Sequence, residues 1–286
     1  MSVFFTSCLI CGSDKIKPSS NYQTAFLAKC NYCSFVFSHK IPSEFELINH
    51  YKNYPLINEI SPITVKRYNE LLDKFEKFRK NNTILDVGCG DGFFLDEAKK
   101  RNWNVYGTEY REEAVQKCSA KGISMKQGKL SSLNYQPEFF DLITSFEVIE
   151  HINNPSEEIS AFNKILRMRG GVYLTTPNFN SLSRQILGNK WNTIAYPDHL
   201  SYYTPQTIHK LLVTNNFLRK SIRTTGLSLY RLKKSMGSMS MNNEDEQMRI
   251  KTETSLFFMT VKKAINYILD LSGTGDTIKI LYQKLG

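Results

Sequence analysis

The chain has no uninterrupted apolar run near the roughly 20 residues that span a bilayer. Its opening residues, Met1 to Cys8, offer neither a basic n-region nor an apolar h-region, so no secretory signal is expected. Without one, the expected setting is the cytoplasm, where cysteines stay reduced. There is no arginine-rich tract with interleaved aromatics, so the formal charge of +10 does not by itself select RNA. No internal repeat is visible. The lysines are spread along the chain; they read as solvated surface, or as attraction for nucleic acid, anionic lipid headgroups or phosphorylated sugar carriers. A length of 286 residues with 41% hydrophobic content leaves room for one substantial α/β domain plus appendages.

Against that background one run stands out: Ile84-Leu85-Asp86-Val87-Gly88-Cys89-Gly90-Asp91-Gly92. Apolar residues lead into three glycines at alternate positions, and a helix-like stretch from Phe93 to Lys100 follows. A buried parallel strand would end this way, in a turn whose backbone must approach something closely. The amides of the next helix then face the polar groups of a ligand. Asp86 precedes the first glycine by two residues. A second strand-like run ends at Glu109, about twenty residues on, where ribose hydroxyls are usually bound. A third, Phe140 to His151, is followed by Asn154-Pro155, a helix, and the run Arg169 to Asn178. The nicotinamide fingerprint needs Gly-x-Gly-x-x-Gly, and here the third glycine falls one position early.

From about Thr83 to Asn178 the chain resembles the class I S-adenosylmethionine-dependent methyltransferases. It looks closest to the branch of ubiquinone-pathway O-methyltransferases and the methyltransferases of surface-polysaccharide gene clusters. The resemblance implies a Rossmann-like, doubly wound, mostly parallel seven-stranded sheet whose last strand inserts antiparallel between its neighbours.

Four of the six cysteines form a second pattern. Cys8-x2-Cys11 and Cys30-x2-Cys33 stand eighteen residues apart. Two such turns complete a tetrahedral sulfur site of the kind Zn²⁺ prefers; buried thiols or a disulfide pair are the bland alternative. Four thiolates leave no open position, so the ion's expected role is structural. Polysaccharide-type relatives often begin similarly, and Cys11-Gly12-Ser13, Cys33 to Phe37, Tyr51 and Tyr54 fit that order. Cys89 and Cys118 read as small packing residues.

Four segments are expected: a zinc-ribbon module over 1–45, a helical linker and cap over 46–82, the methyltransferase core over 83–230, and a loop, helix and final strand over 231–286. Strands are expected near 83–88, 104–109, 123–127, 140–146 and 171–176, with helices near 91–101, 111–121 and 156–167 between them. The stripe Val65, Tyr68, Leu71, Leu72, Phe75 and Phe78 predicts a helix over 62–80, packed on the sheet or acting as a lid. Thr204-Pro205 caps a helix running to about Asn216. Residues 217–229 read as a strand pair element and Thr277 to Tyr282 as the last strand. Residues 233–249 read as a mobile loop and 250–271 as an amphipathic helix, packed, covering the site or making a subunit contact.

The resemblance implies that Asp86, Gly88, Gly90 and Gly92 hold the donor's methionine moiety. It implies that Glu109 accepts the ribose hydroxyls and that Lys129-Leu130 flank the adenine, although many relatives carry an acid near Lys129. Glu147 is expected under the methionine end or the acceptor. A hydroxyl acceptor must lose a proton, which histidine is suited to take. His199, in the segment after strand five, and His151, after strand four, are the two candidate bases; His151 reads alternatively as orienting its loop by hydrogen bonding, and attack by an amine or a stabilised carbanion would need no base. His39, His50 and His209 read as structural. Asp198 with Glu147 suggests Mg²⁺, but such a site wants more carboxylates than can be placed. Trp191, Tyr196, Tyr202 and Tyr203 read equally as acceptor walls or as core. The expected function is methyl transfer to a small-molecule acceptor, a hydroxyl of a sugar, nucleotide-sugar or lipid-linked glycan intermediate. An RNA methyltransferase using its zinc ribbon and a non-catalytic donor-binding scaffold are the rivals. Membrane contact, if any, would be peripheral.

Overall fold

The computed structural model describes residues 3–51, 59–130, 135–227 and 256–286. Its centre is a seven-stranded sheet in the order β12-β13-β10-β9-β6-β7-β8. The strands are β6 (Thr83–Val87), β7 (Asn104–Glu109), β8 (Ser124–Gln127), β9 (Phe140–Phe146), β10 (Leu166–Pro177), β12 (Phe217–Thr225) and β13 (Thr277–Lys284). From β10 through β8 neighbours run parallel. The last strand, β13, pairs antiparallel with both β10 and β12, as the resemblance implies. β6 is buried along its whole length, as a parallel strand covered on both faces must be. Among the described residues no helix is long and apolar enough to cross a membrane.

The helices of this part are α3 (Phe93–Lys100), α4 (Glu112–Ala120), α5 (Pro155–Ile165), the short α6 (Leu182–Leu187) and α7 (Pro205–Thr214). Local chemistry sets their starts. Asn154 accepts the Glu157 amide with Pro155 in the first turn of α5, and Thr204 forms a reciprocal capping box with Thr207 on α7. α2 (Pro62–Phe75) is capped by Ser61 and passes into a short 3-10 turn, Glu76–Phe78. Leu72, Phe75 and Phe78 bury against the sheet, so the stripe is core. Its upper end also reaches the site: Tyr68 stacks edgewise on Phe94, and burial plus the Asp86 charge push its hydroxyl up to about 12.

β10 starts five residues before the expected run. Leu166 pairs with Phe140, the ladder shifts, and pairing resumes at Gly171 opposite Leu142. A Cβ on Gly171 would stand 2.8 Å from the Phe78 ring, so glycine admits that ring to the core. β12 is one strand, and residues 228–229 of the expected pair lie outside the described residues. The expected loop over 233–249 lies outside them as well. The final helix, α8, spans Leu256–Ser272.

The N-terminal segment forms two small sheets. β1 (Val3–Phe4) pairs with β5 (Lys40–Ile41). β2 (Ile16–Pro18), β3 (Leu27–Cys30) and β4 (Val36–Ser38) form a meander whose fourth strand, β11 (Ser201–Tyr202), comes from far along the chain. Phe35 and Phe37 join one buried cluster with Tyr203, Ile208 and Leu211. A small module that cannot bury a core alone thus shares its neighbour's.

One buried carboxylate fastens the sheet's lower edge. Asp141 Oδ2 accepts the amides of Lys80, Asn81 and Asn82 at 2.8, 2.7 and 2.7 Å. Arg167 Nε donates to its Oδ1. Removing one partner of such a network strands the others in low dielectric. Asp141→Ala is expected to cost about 3 kcal/mol of stability, read as a lower urea midpoint; an unchanged midpoint would show the clamp is idle.

Candidate active site

The carboxyl edge of the parallel strands gathers most of the expected site. Asp86 ends β6 almost fully buried and accepts a hydrogen bond from Thr144 Oγ1 at 2.7 Å. Burial, opposed by that bond and reinforced by the Glu109 charge, pushes its carboxyl up to about 7. The glycine turn follows. Gly88 sits at φ +69°, and a Cβ there would lie 2.5 Å from Val148 Cγ2, so the loop after β9 could not close over any other residue. Gly90 is the opposite case: at φ +53°, nothing stands within 4 Å of where its Cβ would be. The backbone there borders open space. Gly92 closes the turn against Cys118 and Ile123.

The acid at the tip of β7 is tied to the same turn. Glu109 Oε2 accepts the Gly90 amide at 2.9 Å, and Oε1 accepts the amides of Tyr110 and Arg111 at 2.7 and 3.2 Å. Gly128 N donates to the Glu109 carbonyl at 2.8 Å, which sets the turn after β8 beside it. In that turn Leu130 is buried, while Lys129 Nζ leans on Glu157 Oε2 at 3.2 Å. Glu147 closes β9 with φ +55°, a conformation a non-glycine side chain adopts at a cost of about 1 kcal/mol or more. Thr175 holds it there by accepting its amide at the carbonyl, 3.0 Å away.

A second cluster lies beyond Glu147. Asp198 receives His151 Nδ1 at its carbonyl (2.8 Å) and at Oδ1 (3.2 Å). His50 Nε2 stands 3.0 Å from the same Oδ1, and His199 Nε2 stands 3.8 Å from Oδ2. The His151 and His199 rings meet edge to face at 4.8 Å. Glu150 is fully buried next to them, with Oε1 4.0 Å from His151 Nε2. Burial opposes a charge on His151, yet the bond to Asp198 and the Glu150 carboxylate prevail and hold it up to about 9. For Asp198, burial is outweighed by the three imidazoles, and its carboxyl falls well below the usual range. Glu150 moves the other way, raised by burial and by Glu147.

The family model described as a methyltransferase domain matches residues 62–218, more than half of the chain. The chain belongs to the methyltransferase domain family. It is 26% identical over 158 residues to a ubiquinone biosynthesis O-methyltransferase from Hydrogenovibrio crunogenus, covering 49% of this chain and 62% of that one. It is 28% identical over 138 residues to the protein of that name from Dechloromonas aromatica, covering 44% and 56%. The chain thus spans less than two thirds of these relatives' length. In structure it is similar to a SAM-dependent methyltransferase from Archaeoglobus fulgidus, with a TM-score of 0.55, 16% identity, and coverage of 85% of this chain and all of that one. That likeness shows the shared fold.

Within this methyltransferase domain, His151 and His199 meet beside Glu150, whose carboxyl is raised by burial and then by the Glu147 charge. From the sequence His50 reads as structural and Glu150 carries no role; both stand in this cluster, His50 against Asp198 and Glu150 against His151. Glu150 sits beside a singled-out histidine, in the 3-10 turn Ile149–His151; His50 arrives from α1 (Glu44–Tyr51), and no local pattern announces its contact with Asp198. Trp191, Tyr202 and Tyr203 are buried and fill core, whereas Tyr196 packs edgewise on Phe26 with Lys40 over its ring. His39 bonds the Phe26 carbonyl and His209 the Tyr282 hydroxyl, both structural.

The four N-terminal cysteines converge. Cys8 and Cys33 Sγ lie 3.5 Å apart, Cys11 and Cys30 Sγ 3.6 Å, and all four fall within 4.8 Å of one another. A regular tetrahedron with Zn–S bonds of about 2.3 Å has edges of about 3.8 Å. The donor set therefore fits a tetrahedral thiolate site, and all six cysteines are free of disulfides.

The Asp198–His151 pair has a pH signature. A histidine raised in the folded state contributes stability that is full below its ordinary value near 6.5 and fades as pH rises through about 9. The stability gap between the wild type and Asp198→Asn is expected to be up to about 3 kcal/mol at pH 6.5 and to shrink by pH 9.5. Urea unfolding at both pH values checks it; an equal gap at each would show that another interaction is responsible.

Proposed function

We propose that the chain transfers a methyl group from S-adenosylmethionine to a hydroxyl of a small molecule. The carrying observation is the glycine turn and the β7 acid already joined, with Gly90 N on Glu109 Oε2, beside open space at Gly90. A carboxylate fixed in place matches a vicinal diol, and the bared backbone lets a ligand approach closely. In this reading Glu109 binds the ribose, Leu130 and the Lys129 backbone flank the base, and Asp86, Gly88, Gly90, Gly92 and Glu147 hold the methionine end. When bound, the donor supplies a methyl carbon made electrophilic by a positively charged sulfur.

The chain's own work is then alignment, exclusion of water and proton handling. His199 takes the acceptor's proton at the ring nitrogen that does not face Asp198. His151, gripped by Asp198, stays charged at neutral pH and offers positive potential to the developing oxyanion. The acceptor class we infer is a sugar, nucleotide-sugar or lipid-linked glycan intermediate, supported by the resemblance of the Cys8–Cys33 module to those enzymes. Zn²⁺ on Cys8, Cys11, Cys30 and Cys33 would be structural, and a cytoplasmic setting suits four reduced thiols.

Three measurements test the proposal. Glu109→Ala should weaken S-adenosylmethionine binding by about 100-fold or more on titration calorimetry while the far-UV spectrum is kept; undiminished affinity would remove the acid from the site. His199→Ala should cut kcat by about 10² to 10⁴ with donor affinity unchanged, once incubation of methyl-labelled donor with fractionated cell extract has identified the acceptor. Labelling of RNA alone would displace the small-molecule reading, and donor binding without any labelled product would favour a scaffold. Elemental analysis should find roughly one zinc per chain, with Cys30→Ser losing it and unfolding at lower temperature; full-length protein without zinc and with wild-type stability would refute the structural ion.

A further inference from the structure

α8 is attached to the sheet by its polar side. Asn266 Oδ1 accepts the Gly226 amide at 2.8 Å, and Asp270 Oδ1 accepts the Thr224 amide at 2.7 Å. Thr224 Oγ1 donates to the Leu269 carbonyl at 2.7 Å, and Arg223 Nε pairs with Asp270 Oδ2. Residues 266, 269 and 270 therefore mark the edge of the helix that faces β12, and Leu269 is buried there. The opposite edge carries Val261, Ala264, Ile265, Ile268 and Leu271, whose spacing of three and four residues sets them in one stripe. Val261 and Ile265 are 40% and 43% exposed, Ile268 and Leu271 64% and 72%. Ala264 is exposed too, and the exposed Tyr267 borders the stripe. A helix of a globular protein normally turns its apolar stripe inward. This one is turned the other way, and an apolar patch held outward by specific hydrogen bonds marks a surface that something covers.

The charges beside the stripe say what covers it. β12 and α8 together hold Arg219, Lys220, Arg223, Lys262 and Lys263 against one acid, Asp270, which is already paired to Arg223. Arg219, Lys220, Arg223 and Lys263 are exposed. A second copy of the chain fits poorly. In a two-fold pair the same surface meets itself, so cations would oppose cations. A layer of anionic headgroups over hydrocarbon fits both features: it offers negative charge to the lysines and arginines and apolar depth to the stripe. We infer that the outward face of α8 lies on an anionic lipid surface, with Ile265, Ile268 and Leu271 at the acyl boundary and the β12 cations at the headgroups. α8 is not long and apolar enough to cross a bilayer, so the contact is peripheral.

The test is flotation of the full chain with vesicles of equal parts phosphatidylglycerol and phosphatidylcholine, and with vesicles of phosphatidylcholine alone. Binding to the anionic vesicles should be at least about 10-fold tighter. Ile268→Ser with Leu271→Ser should weaken it about 10-fold or more, and so should Lys220→Glu with Lys263→Glu. All four side chains are exposed, and an unchanged melting temperature confirms that each variant is folded. Equal binding to both kinds of vesicle, or binding to neither, overturns the assignment, as does anionic binding that either pair of substitutions leaves unmoved. A dimer in light scattering that the serine pair dissociates, with no vesicle binding, gives the face to a second copy instead. Vesicle binding requires neither methyl donor nor acceptor, so its failure leaves the methyl-transfer reading standing.

Discussion

Hydrogen bonding between parallel strands decides where chemistry can occur in this chain. β6 lies between β7 and β9, with Asp86 opposite Gly107 on one side and Thr144 on the other. Side chains at one register of a parallel ladder project to the same face. The Thr144–Asp86 hydrogen bond is therefore a product of register, and a slip of one residue would turn Asp86 to the opposite layer. The same ladder brings all five carboxyl ends to one edge. The turns after β6, β7, β8 and β9 meet there, and between them lies the opening at Gly90. At the sheet's other flank the antiparallel β13 is anchored by Asn178, whose side-chain amide donates to the carbonyls of Gly273 and Gly275 at 2.9 and 2.7 Å.

The parts of this arrangement that were legible in the sequence are those written locally. Buried strands read as apolar runs stopped by glycine, and β6, β7 and β9 fall within a residue or two of their expected bounds. Caps such as Asn154-Pro155 and Thr204-Pro205 carry their own chemistry. Paired Cys-x2-Cys turns fix both ligand type and spacing, and the four sulfurs do meet. What stayed hidden depends on contacts between distant residues. Nothing near Ser201 announces that it will extend a sheet begun at Ile16. Nothing near His50 announces Asp198, 148 positions away. The early start of β10 escaped because Arg167, Met168 and Arg169 interrupt the apolar pattern; Arg167 is turned to Asp141 and the Phe78 carbonyl instead.

The N-terminal module is bound into the methyltransferase domain by more than its chain connection. Ser38 N donates to the Leu200 carbonyl and Leu200 N to the Glu150 carbonyl, each at 2.8 Å. Two steps of backbone hydrogen bonding thus run from the strand after the last cysteine turn to the loop that bears Glu150 and His151. Ser156 Oγ adds a third tie, to the Leu9 carbonyl inside the first cysteine pair. Phe35 stacks against Phe37 on one side and Tyr203 on the other, with ring centroids 5.6 and 5.2 Å apart.

This has an energetic consequence for Asp198. Its partners come from three elements: His50 from α1, His151 from the loop after β9, and His199 from the segment that leads into β11. An ion pair at a junction gains its full Coulomb energy only if every partner is already held, because fixing long segments otherwise consumes the gain as lost conformational freedom. β11 reaches its place by pairing with β4, so the order of the cysteine module and the geometry of Asp198 are coupled through a two-residue ladder. A ribbon that lost its sulfur cluster would loosen β4 first, then the segment that carries Asp198 and His199, and would leave Glu109 and the glycine turn, on the far side of β9, as they are.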